Sequence, residues 1–308
     1  MSPERPYHAF SDELKRIFGC RIQRISLDAG FSCPNRDGSI GSGGCVFCDA
    51  DGSGARHIER ELALQQQLEK GIEAGSRRYP GARFAAYFQA FSNTYAPVHR
   101  LRQLYDEALA VPGIVALFIG TRPDTLPPDV VDLLAEYHHR THLWVEIGLQ
   151  SAHDATLRFL NRGHDRATFT DAVQRCHQQG IRVCAHLIVG LPGEGRNELL
   201  ATIDYLNDLG IDGIKIHLLH ILEGTPLANL WKEGEIRTLE RDEYVQLVCD
   251  LLERLDPRVL IQRLTGDGDR QRLLAPLWSL KKLEVINQIE QELRRRGTQQ
   301  GSAIITPR

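Results

Sequence analysis

Short apolar runs alternate along most of the chain with longer segments whose apolar residues recur every three or four positions. The short runs predict buried strands, and the longer segments predict amphipathic helices. In one such segment, at 195–209, Leu199, Ile203 and Leu206 form a single apolar stripe. The pattern predicts strands at 22–27, 83–89, 115–120, 142–148, 181–189 and 213–219, and intervening helices at 59–76, 97–111, 127–138, 167–179 and 195–209.

This regular order predicts an α/β fold with a parallel sheet and right-handed crossovers. Six strand–helix units indicate a partial TIM-like (β/α)6 barrel rather than a complete barrel of eight. After about residue 222 the rhythm changes, and helices at 239–255 and 276–296 flank a short strand at 259–264. We therefore expect an N-terminal extension at 1–20, a core barrel at 21–222, and a mainly helical C-terminal extension at 223–308 that packs on the barrel.

Composition and charge narrow the classes of function. Of the 308 residues, 42% are apolar and 25% are charged, which is ordinary for a domain that buries a core. No apolar run is long enough to cross a bilayer, and residues 1–11 lack the apolar stretch of a secretory signal. We therefore expect a cytoplasmic protein without a membrane partner. The net charge of −3 argues against binding nucleic acid by bulk attraction, although basic runs at 77–78, 281–282 and 294–296 leave a local basic surface open.

Three of the seven cysteines lie within sixteen residues, at Cys33, Cys45 and Cys48. The other four are scattered, which excludes a disulfide framework, and three of those are predicted to be small buried apolar groups: Cys176, Cys184 and Cys249. Thiolates are soft ligands that suit an iron–sulfur cluster or zinc. A cubane cluster held by three thiolates leaves one iron open for another ligand.

The loop between these cysteines is rich in glycine, so its backbone can approach a cluster closely and direct N–H groups at the sulfurs. The alternative is a structural zinc knuckle. Zinc favours four closed ligands, and the fourth would be His57 or a distant cysteine. A dinucleotide-binding loop is rejected, because the glycines lie between cysteines and do not open a helix after a strand.

Polar residues gather where the predicted strands end, which is where parallel barrels carry their chemistry. Glu146, Gly148 and Gln150 alternate along one strand and therefore share a face that can point into the barrel. Lys215 and His217 share a face in the same way. Together they are candidates for substrate contact or proton transfer, although a strand histidine is commonly a satisfied core group.

The cysteine loop, with Phe47 before the last cysteine, resembles the cluster-binding motif of the radical S-adenosylmethionine (SAM) superfamily. Its wide C-x11-C-x2-C spacing resembles the catalytic subunit of Elongator and the YhcC-type family. Further motifs at 87–94, 121–124, 146–151 and 215–217 extend the resemblance to the YhcC type over nearly the whole chain.

The resemblance implies a [4Fe–4S] cluster on Cys33, Cys45 and Cys48, with SAM bound to the open iron. An electron from a flavodoxin- or ferredoxin-like partner would then cleave SAM and give a 5′-deoxyadenosyl radical. The residues that the resemblance and their position at strand ends assign to SAM are Ser92, Asn93, Thr121, Glu146, Gln150 and Arg162. For Gln150 and Arg162 a capping or core role is the alternative.

Two positions depart from the family pattern. The usual Gly-Gly-Glu is absent at 92–93, and His186 stands near the place where a related subgroup has an acidic residue for the ribose. Which atoms at 92–93 bind the methionine amino group is therefore open. The residue that reacts with the substrate is also unassigned, and the candidates for it are Lys215, His217 and His186.

The likeness to Elongator favours a tRNA base as the substrate, and a small metabolite, a peptide or a protein is the alternative. A further alternative from another class is a non-enzymatic zinc or iron–sulfur module that serves structure or redox sensing. Gln150 and Arg162 argue against that module, because it would need no pocket for SAM.

Overall fold

The structure is a computed structural model that describes residues 5–49, 52, 59–266 and 268–304. His57 lies outside the described residues. The strands are β1 (Ile22–Leu27), β2 (Arg83–Phe88), β3 (Ile114–Thr121), β4 (His142–Gln150), β5 (Val183–Val189), β6 (Gly213–Leu218), β7 (Ile221–Leu222), β8 (Leu260–Arg263) and β9 (Leu273–Ala275). The helices are α1 (Phe10–Phe18), α2 (Leu64–Arg78), α3 (Val98–Ala110), α4 (Pro128–Arg140), α5 (Asp154–Phe159), α6 (Arg166–Gln178), α7 (Arg196–Leu209), α8 (Pro226–Lys232), α9 (Arg241–Arg254) and α10 (Lys282–Arg296).

Seven parallel strands form one curled sheet in the order β1-β2-β3-β4-β5-β6-β8, which confirms the partial α/β barrel. The predicted number of six strands was too low by one. The seventh, β8, was expected in the C-terminal extension, but it pairs with β6 in parallel, Gly213 opposite Leu260. A four-residue strand carries little periodicity, so its pairing was not readable from the pattern. The boundaries at residues 20 and 222 stay predictions.

The sheet is buried on both faces, which explains its nearly continuous apolar strands. In β3, six consecutive residues from Ala116 onward are buried. Outside the sheet, α7 buries Leu199, Ile203 and Leu206 as its stripe predicts. At the amino end of the barrel, α1 inserts Phe10 beside Trp144, with ring centroids 5.1 Å apart. This end is closed, and the chemistry is left to the carboxyl ends of the strands.

The helices are short, and the longest two, α2 and α10, have 15 residues each. In the part of the chain that the structure describes, no helix combines the length and the apolar character needed to cross a bilayer. The segment predicted as one helix at 276–296 is two pieces, a 3-10 turn at Leu277–Leu280 and α10. They are separated at Lys281, whose backbone is not helical. Cys176, Cys184 and Cys249 are buried, as predicted.

Candidate active site

A cavity of about 310 Å³ opens at the carboxyl end of the strands. Most of the residues singled out in the sequence meet in its wall, although they come from four strands (β3, β4, β5 and β6) and three loops. Those that line it are Cys33, Cys45, Cys48, Ser92, Thr121, Gln150, Arg162, His186 and His217. Asn93, Glu146 and Lys215 are buried behind this wall.

The cysteine loop is shaped by two short turns. The carbonyl of Cys33 accepts from the backbone N–H of Arg36 at 2.8 Å, and the N–H of Cys48 donates to the carbonyl of Cys45 at 3.0 Å. Gly44 lies between these turns at φ +81°, and a Cβ there would come within 2.8 Å of Arg36 Nε. A larger residue would therefore displace the loop, which gives this glycine a structural reason.

The loop after β4 supports the cysteine loop from one side. Asn161 Nδ2 donates to the carbonyl of Gly44 at 2.8 Å, and Asn35 Nδ2 donates to the carbonyl of Asn161 at 2.5 Å. The backbone N–H of Val46 donates to the carbonyl of Leu160 at 3.1 Å. The position of the thiols is thus fixed to the end of β4, where the predicted SAM contacts lie.

Two side chains donate hydrogen bonds to the sulfur of Cys45. Arg162 Nη1 lies 3.2 Å from Cys45 Sγ, and Asn35 Nδ2 lies 3.6 Å from it. Donors of this kind stabilise a thiolate and the metal centre that it binds. Within residues 5–49, 52, 59–266 and 268–304, no three or more His, Cys, Asp or Glu side chains are arranged to hold a metal ion. The fit of the cysteines to a cluster therefore rests on their shared cavity and on these donors.

Arg122 lies beside the thiols and was missed as a site residue. Its Nη2 donates to the carbonyl of Arg162 at 2.6 Å, and its Nε donates to Asp124 at 2.9 Å. Burial opposes its charge, but Asp124 and the nearby thiols raise the pKa of Arg122 above its usual value. Its Nη1 is buried and has no partner among the described residues. The cavity wall therefore holds a permanent cation with one free donor.

Gly148 allows Gln150 and Arg162 to converge. A Cβ on Gly148 would lie 2.8 Å from Gln150 Nε2 and 3.0 Å from Arg162 Nη2. Arg162 Nη2 also donates to the carbonyl of Gly148 at 2.8 Å. Gln150 itself has φ +76°, an unusual conformation for a residue with a side chain, and such strain is concentrated at functional sites.

The polar residues after β2 and β3 separate into two groups. Thr121 Oγ1 is committed to neighbouring hydroxyls, at 2.6 Å from Thr94 and 2.9 Å from Thr125. Asn93 Nδ2 donates to the carbonyl of Gly120 at 2.7 Å. Asn93 Oδ1 and Ser92 Oγ are both buried without a partner among the described residues, and of these two residues Ser92 lines the cavity. Buried polar groups are normally satisfied, so this hydroxyl indicates a missing ligand.

Below the cavity lies a fully buried ion pair. Lys215 Nζ donates to Glu146 Oε2 and, at 3.0 Å, to Tyr87 Oη. Glu146 Oε2 also accepts from His186 Nε2 at 3.2 Å, and Arg24 Nη1 lies 3.9 Å from Glu146 Oε1. Glu146, predicted as a SAM contact, is therefore engaged by Lys215 and His186 behind the wall.

Burial and these neighbours set the protonation states. Burial disfavours the charge on Glu146, but Lys215 and His186 outweigh it and hold the pKa of Glu146 well below its usual range. Burial lowers the pKa of Lys215 below its usual value, although the carboxylate of Glu146 opposes this change, and burial lowers the pKa of His186 to about 4. Burial, with Arg263 nearby, also holds the pKa of His217 well below its usual value. At neutral pH the cavity floor therefore carries a carboxylate beside two neutral imidazoles.

Sequence reasoning did not single out Tyr87, Arg122, Asn35 or Arg24. Arg122 and Tyr87 lie within the motifs at 121–124 and 87–94. Both residues could have been identified as candidates by considering each position of those motifs. Asn35 lies between the cysteines and was part of the loop. Arg24 faces inward from β1, and nothing in its local pattern distinguishes it from an exposed strand residue.

Comparisons with known proteins agree with this geometry. The sequence model of the radical SAM superfamily matches residues 37–206, and that of the Radical_SAM C-terminal domain matches residues 211–295. Protein YhcC of Escherichia coli K12 is 39% identical over 308 residues, which cover 100% of this chain and 98% of that protein. A tRNA uridine(34) acetyltransferase of Methanocaldococcus infernus is 28% identical over 141 residues, covering 44% of this chain and 25% of that protein. The structure of Elp3 from the same archaeon superposes with a TM-score of 0.68 at 16% identity, covering 91% of this chain and 64% of that one.

The chain therefore belongs to the radical SAM superfamily, and it is a radical SAM enzyme that uses a [4Fe–4S] cluster and SAM. Within that superfamily it is a member of the YhcC family, as its motifs predicted. The alternative of a non-enzymatic zinc or redox-sensing module is wrong, because the radical SAM model matches residues 37–206. The superposition with Elp3 shows a common fold, and the similarity to the acetyltransferase extends over 141 residues.

Proposed function

We propose that Cys33, Cys45 and Cys48 hold the cluster and that Ser92, Arg122, Gln150 and Arg162 bind SAM beside it. When bound, the reduced cluster supplies the electron that cleaves SAM and yields the radical that takes a hydrogen atom from the substrate. The observation that carries the proposal is the pair of buried, unpartnered groups, Ser92 Oγ and Arg122 Nη1, in the same cavity wall as the thiols.

Further contacts of the predicted residues hold the walls of the site in this proposal. Asn93 and Thr121 hold the ends of β2 and β3 through hydrogen bonds to Gly120 and to neighbouring threonines. Arg162 connects a thiol to the end of β4. A small flavodoxin- or ferredoxin-like protein remains the electron donor that we expect.

Anaerobic purification tests the cluster assignment. The wild-type protein should carry about four irons and four sulfides per chain and should convert SAM to 5′-deoxyadenosine after reduction. Replacing Cys33, Cys45 and Cys48 together with alanine should abolish both. The matched control is Cys20→Ala, because Cys20 does not line the cavity. Stoichiometric zinc without sulfide in the wild-type protein would contradict the assignment.

For the substrate we propose a base of tRNA. The support is the similarity over 141 residues to a protein named as a tRNA uridine(34) acetyltransferase. A deep cavity at the barrel mouth suits a base that is turned out of its stack, since chemistry on a base requires its removal from the helix. Cationic side chains that line the cavity are Arg36, Arg122, Arg162 and Arg263.

We do not expect the basic runs at 77–78, 281–282 and 294–296 to provide the phosphate contacts of such a substrate. Among the described residues none of these runs lines the cavity, and Arg77, Arg294 and Arg295 are each paired with an acidic neighbour on their own helix. Together with the net charge of −3, this pairing favours a small metabolite as the second candidate.

Binding at two salt concentrations separates these candidates. A tRNA substrate should bind with a log affinity that falls by about 0.7 to 0.9 per phosphate contact for each tenfold rise in salt. Bulk tRNA from a strain that lacks the enzyme should also raise the rate of SAM cleavage above that seen with tRNA from the parent strain. If tRNA does not bind at physiological salt, while a protein-free metabolite extract accelerates cleavage, the substrate is a small molecule.

A further inference from the structure

His186 reaches the cavity from β5 with one ring nitrogen already engaged. Its Nε2 lies 3.2 Å from Glu146 Oε2, and an ionised carboxylate only accepts hydrogen bonds, so Nε2 carries the proton. The other nitrogen, Nδ1, then carries a lone pair. Within the part of the chain that the structure describes, no hydrogen bond is made to Nδ1 of His186, and the ring is partly accessible from the cavity.

Lys215 is the reason that Glu146 can stay ionised. Both side chains are fully buried, and a buried carboxylate without a partner would take up a proton instead. Lys215 is itself held by Tyr87 Oη at 3.0 Å and by the face of the Tyr87 ring, 4.4 Å from its centroid. The charge of Glu146 is therefore fixed by Lys215 at Oε2, the same oxygen that accepts from His186.

This arrangement resembles in its logic the carboxylate–imidazole pair of hydrolytic enzymes, in which the carboxylate selects the tautomer and stabilises the imidazolium that forms. Resting on the proposed function, we propose that His186 Nδ1 accepts a proton from an O–H or N–H group of the substrate, and that Glu146 and Lys215 are positioning residues for it. In this step the O–H or N–H bond breaks and an Nδ1–H bond forms. No electron enters or leaves, and the proton passes to water after the product departs.

His217 is a weaker candidate for the same role. Its ring centroid lies 5.2 Å from that of His186, but no carboxylate accepts from it among the described residues, and its Nε2 is buried without a partner. An imidazolium formed at His217 would be disfavoured by Arg263 and Lys215, whereas one formed at His186 would contact Glu146. The titratable and charged groups around His186 are Glu146, Lys215, His217, Arg263, Arg24, Tyr87 and Cys184.

The tautomer of His186 can be measured on the holoenzyme without a substrate. In protein labelled with ¹⁵N-histidine, with the cluster oxidised and SAM bound, the signals of His186 are assigned as those lost in His186→Asn. We expect the Nε2–H tautomer throughout pH 5 to 9, because burial keeps the pKa of His186 at about 4. In Lys215→Met the apparent pKa of the His186–Glu146 pair, followed at the His186 nitrogens, should rise by at least about one unit, since removing a nearby cation raises the proton affinity of both groups. Lys215→Arg keeps that cation and should leave the pKa low.

Chemical modification tests directly, in the wild-type protein, whether Nδ1 of His186 is unprotonated and accessible. Diethyl pyrocarbonate acylates neutral imidazole at an accessible nitrogen, and we expect His186 to be modified at Nδ1. Three results would each overturn the proposal: an Nδ1–H or mixed tautomer, a pKa of His186 unchanged in folded Lys215→Met, or no modification of His186. If Lys215→Met does not fold, the tautomer and the modification still decide. Failure of the proposed function would appear in the iron content and in SAM cleavage, which these measurements do not read.

Discussion

The chain carries two networks of charged side chains that differ in burial and in the sequence distance between their members. Inside the barrel, Lys215 and Glu146 have side-chain exposures of 1% and 0%. On the outside, α10 carries Arg294 and Arg295, whose guanidinium groups lie 3.2 Å and 2.7 Å from Glu290 and Glu292 of the same helix. Arg295 is 73% exposed. One network is held by strands that are distant in sequence, and the other by neighbours within one turn of a helix.

The difference in burial separates charges that indicate a function from charges that do not. A buried ion pair is expensive to desolvate and is often replaceable by apolar residues without loss of stability, so its presence in a cavity floor calls for a functional reason. Surface pairs contribute little and are abundant. The three arginines at 294–296 on α10 are therefore weaker evidence for RNA binding than the buried Lys215 is for a catalytic function.

The largest effect should come from breaking the interior pair on one side only. Lys215→Met removes the cation in contact with buried Glu146 and leaves Arg24 Nη1 at 3.9 Å from Glu146 Oε1. Breaking a buried ion pair on one side costs about 3 to 5 kcal/mol of unfolding free energy. Urea unfolding under anaerobic conditions measures it. The matched control, Glu146→Gln with Lys215→Met, removes both charges and should recover most of the loss. A loss in Lys215→Met as small as that in the double variant would show that the pair is not coupled as the structure has it.

A smaller effect, on cluster retention and SAM binding, is expected from replacing Arg162 beside the thiols. Arg162→Ala removes the donor to Cys45 Sγ and to the carbonyl of Gly148. Hydrogen bonds from charged groups contribute about 1.5 to 3 kcal/mol, so iron should be lost to a chelator about tenfold faster or more, and SAM should bind more weakly.

Two controls locate that effect. Gln150→Ala should weaken SAM binding but leave iron loss unchanged, because Gln150 lines the cavity without a hydrogen bond to a thiol among the described residues. Arg158→Ala changes an exposed arginine of α5 and should alter neither. Equal iron loss in Arg162→Ala and Arg158→Ala would separate Arg162 from the cluster.

Much of the fold was predictable, because strand and helix periodicities are local. All six strands expected in the barrel were found in order, and β1 has the predicted bounds of 22–27. What escaped prediction depends on distant contacts. β8 was predicted as a short strand at 259–264, but its place in the barrel sheet is set by its pairing with β6. α1 was not predicted, and its role became visible when Phe10 was seen against Trp144.

The candidate site was predictable to the level of which residues face inward. The alternation of Glu146, Gly148 and Gln150 placed them on one face, and the cysteine spacing indicated the ligands. Alternation does not tell whether an inward residue reaches a ligand or pairs with another strand. That depends on the curvature of the sheet, which sets the distance from Glu146 on β4 to Lys215 on β6 across β5.

An interior titratable group without a carboxylate partner gives the third prediction. His142, at the amino end of β4, accepts a hydrogen bond from Trp144 Nε1 at 3.0 Å, and burial lowers its pKa to about 4. The folded pKa lies below the ordinary value of 6.5, so the folded state binds fewer protons between these values. Its contribution to stability is therefore complete above pH 6.5 and is lost as the pH falls towards 4.

Thermal unfolding between pH 7 and pH 4 checks this sign. His142→Asn keeps an acceptor for Trp144 and should flatten the fall in melting temperature on acidification. His99→Gln, at an exposed position of α3, should leave the pH profile as it is in the wild type. A wild-type slope retained in His142→Asn would assign the acid sensitivity to other groups.

The smallest effect on stability should come from substitutions in the exterior network on α10. In Arg294→Gln with Arg295→Gln, each lost guanidinium had a partner one turn away in α10, and neither lines the cavity. Exposed pairs of this kind contribute little, so the melting temperature should stay within about 1 °C of the wild type. If tRNA is the substrate, its affinity and salt dependence should also be unchanged, because the freed Glu290 and Glu292 lie away from the cavity. A flatter salt dependence in the double variant would instead place phosphate contacts on α10, and the contrast between the two networks would then fail for RNA binding.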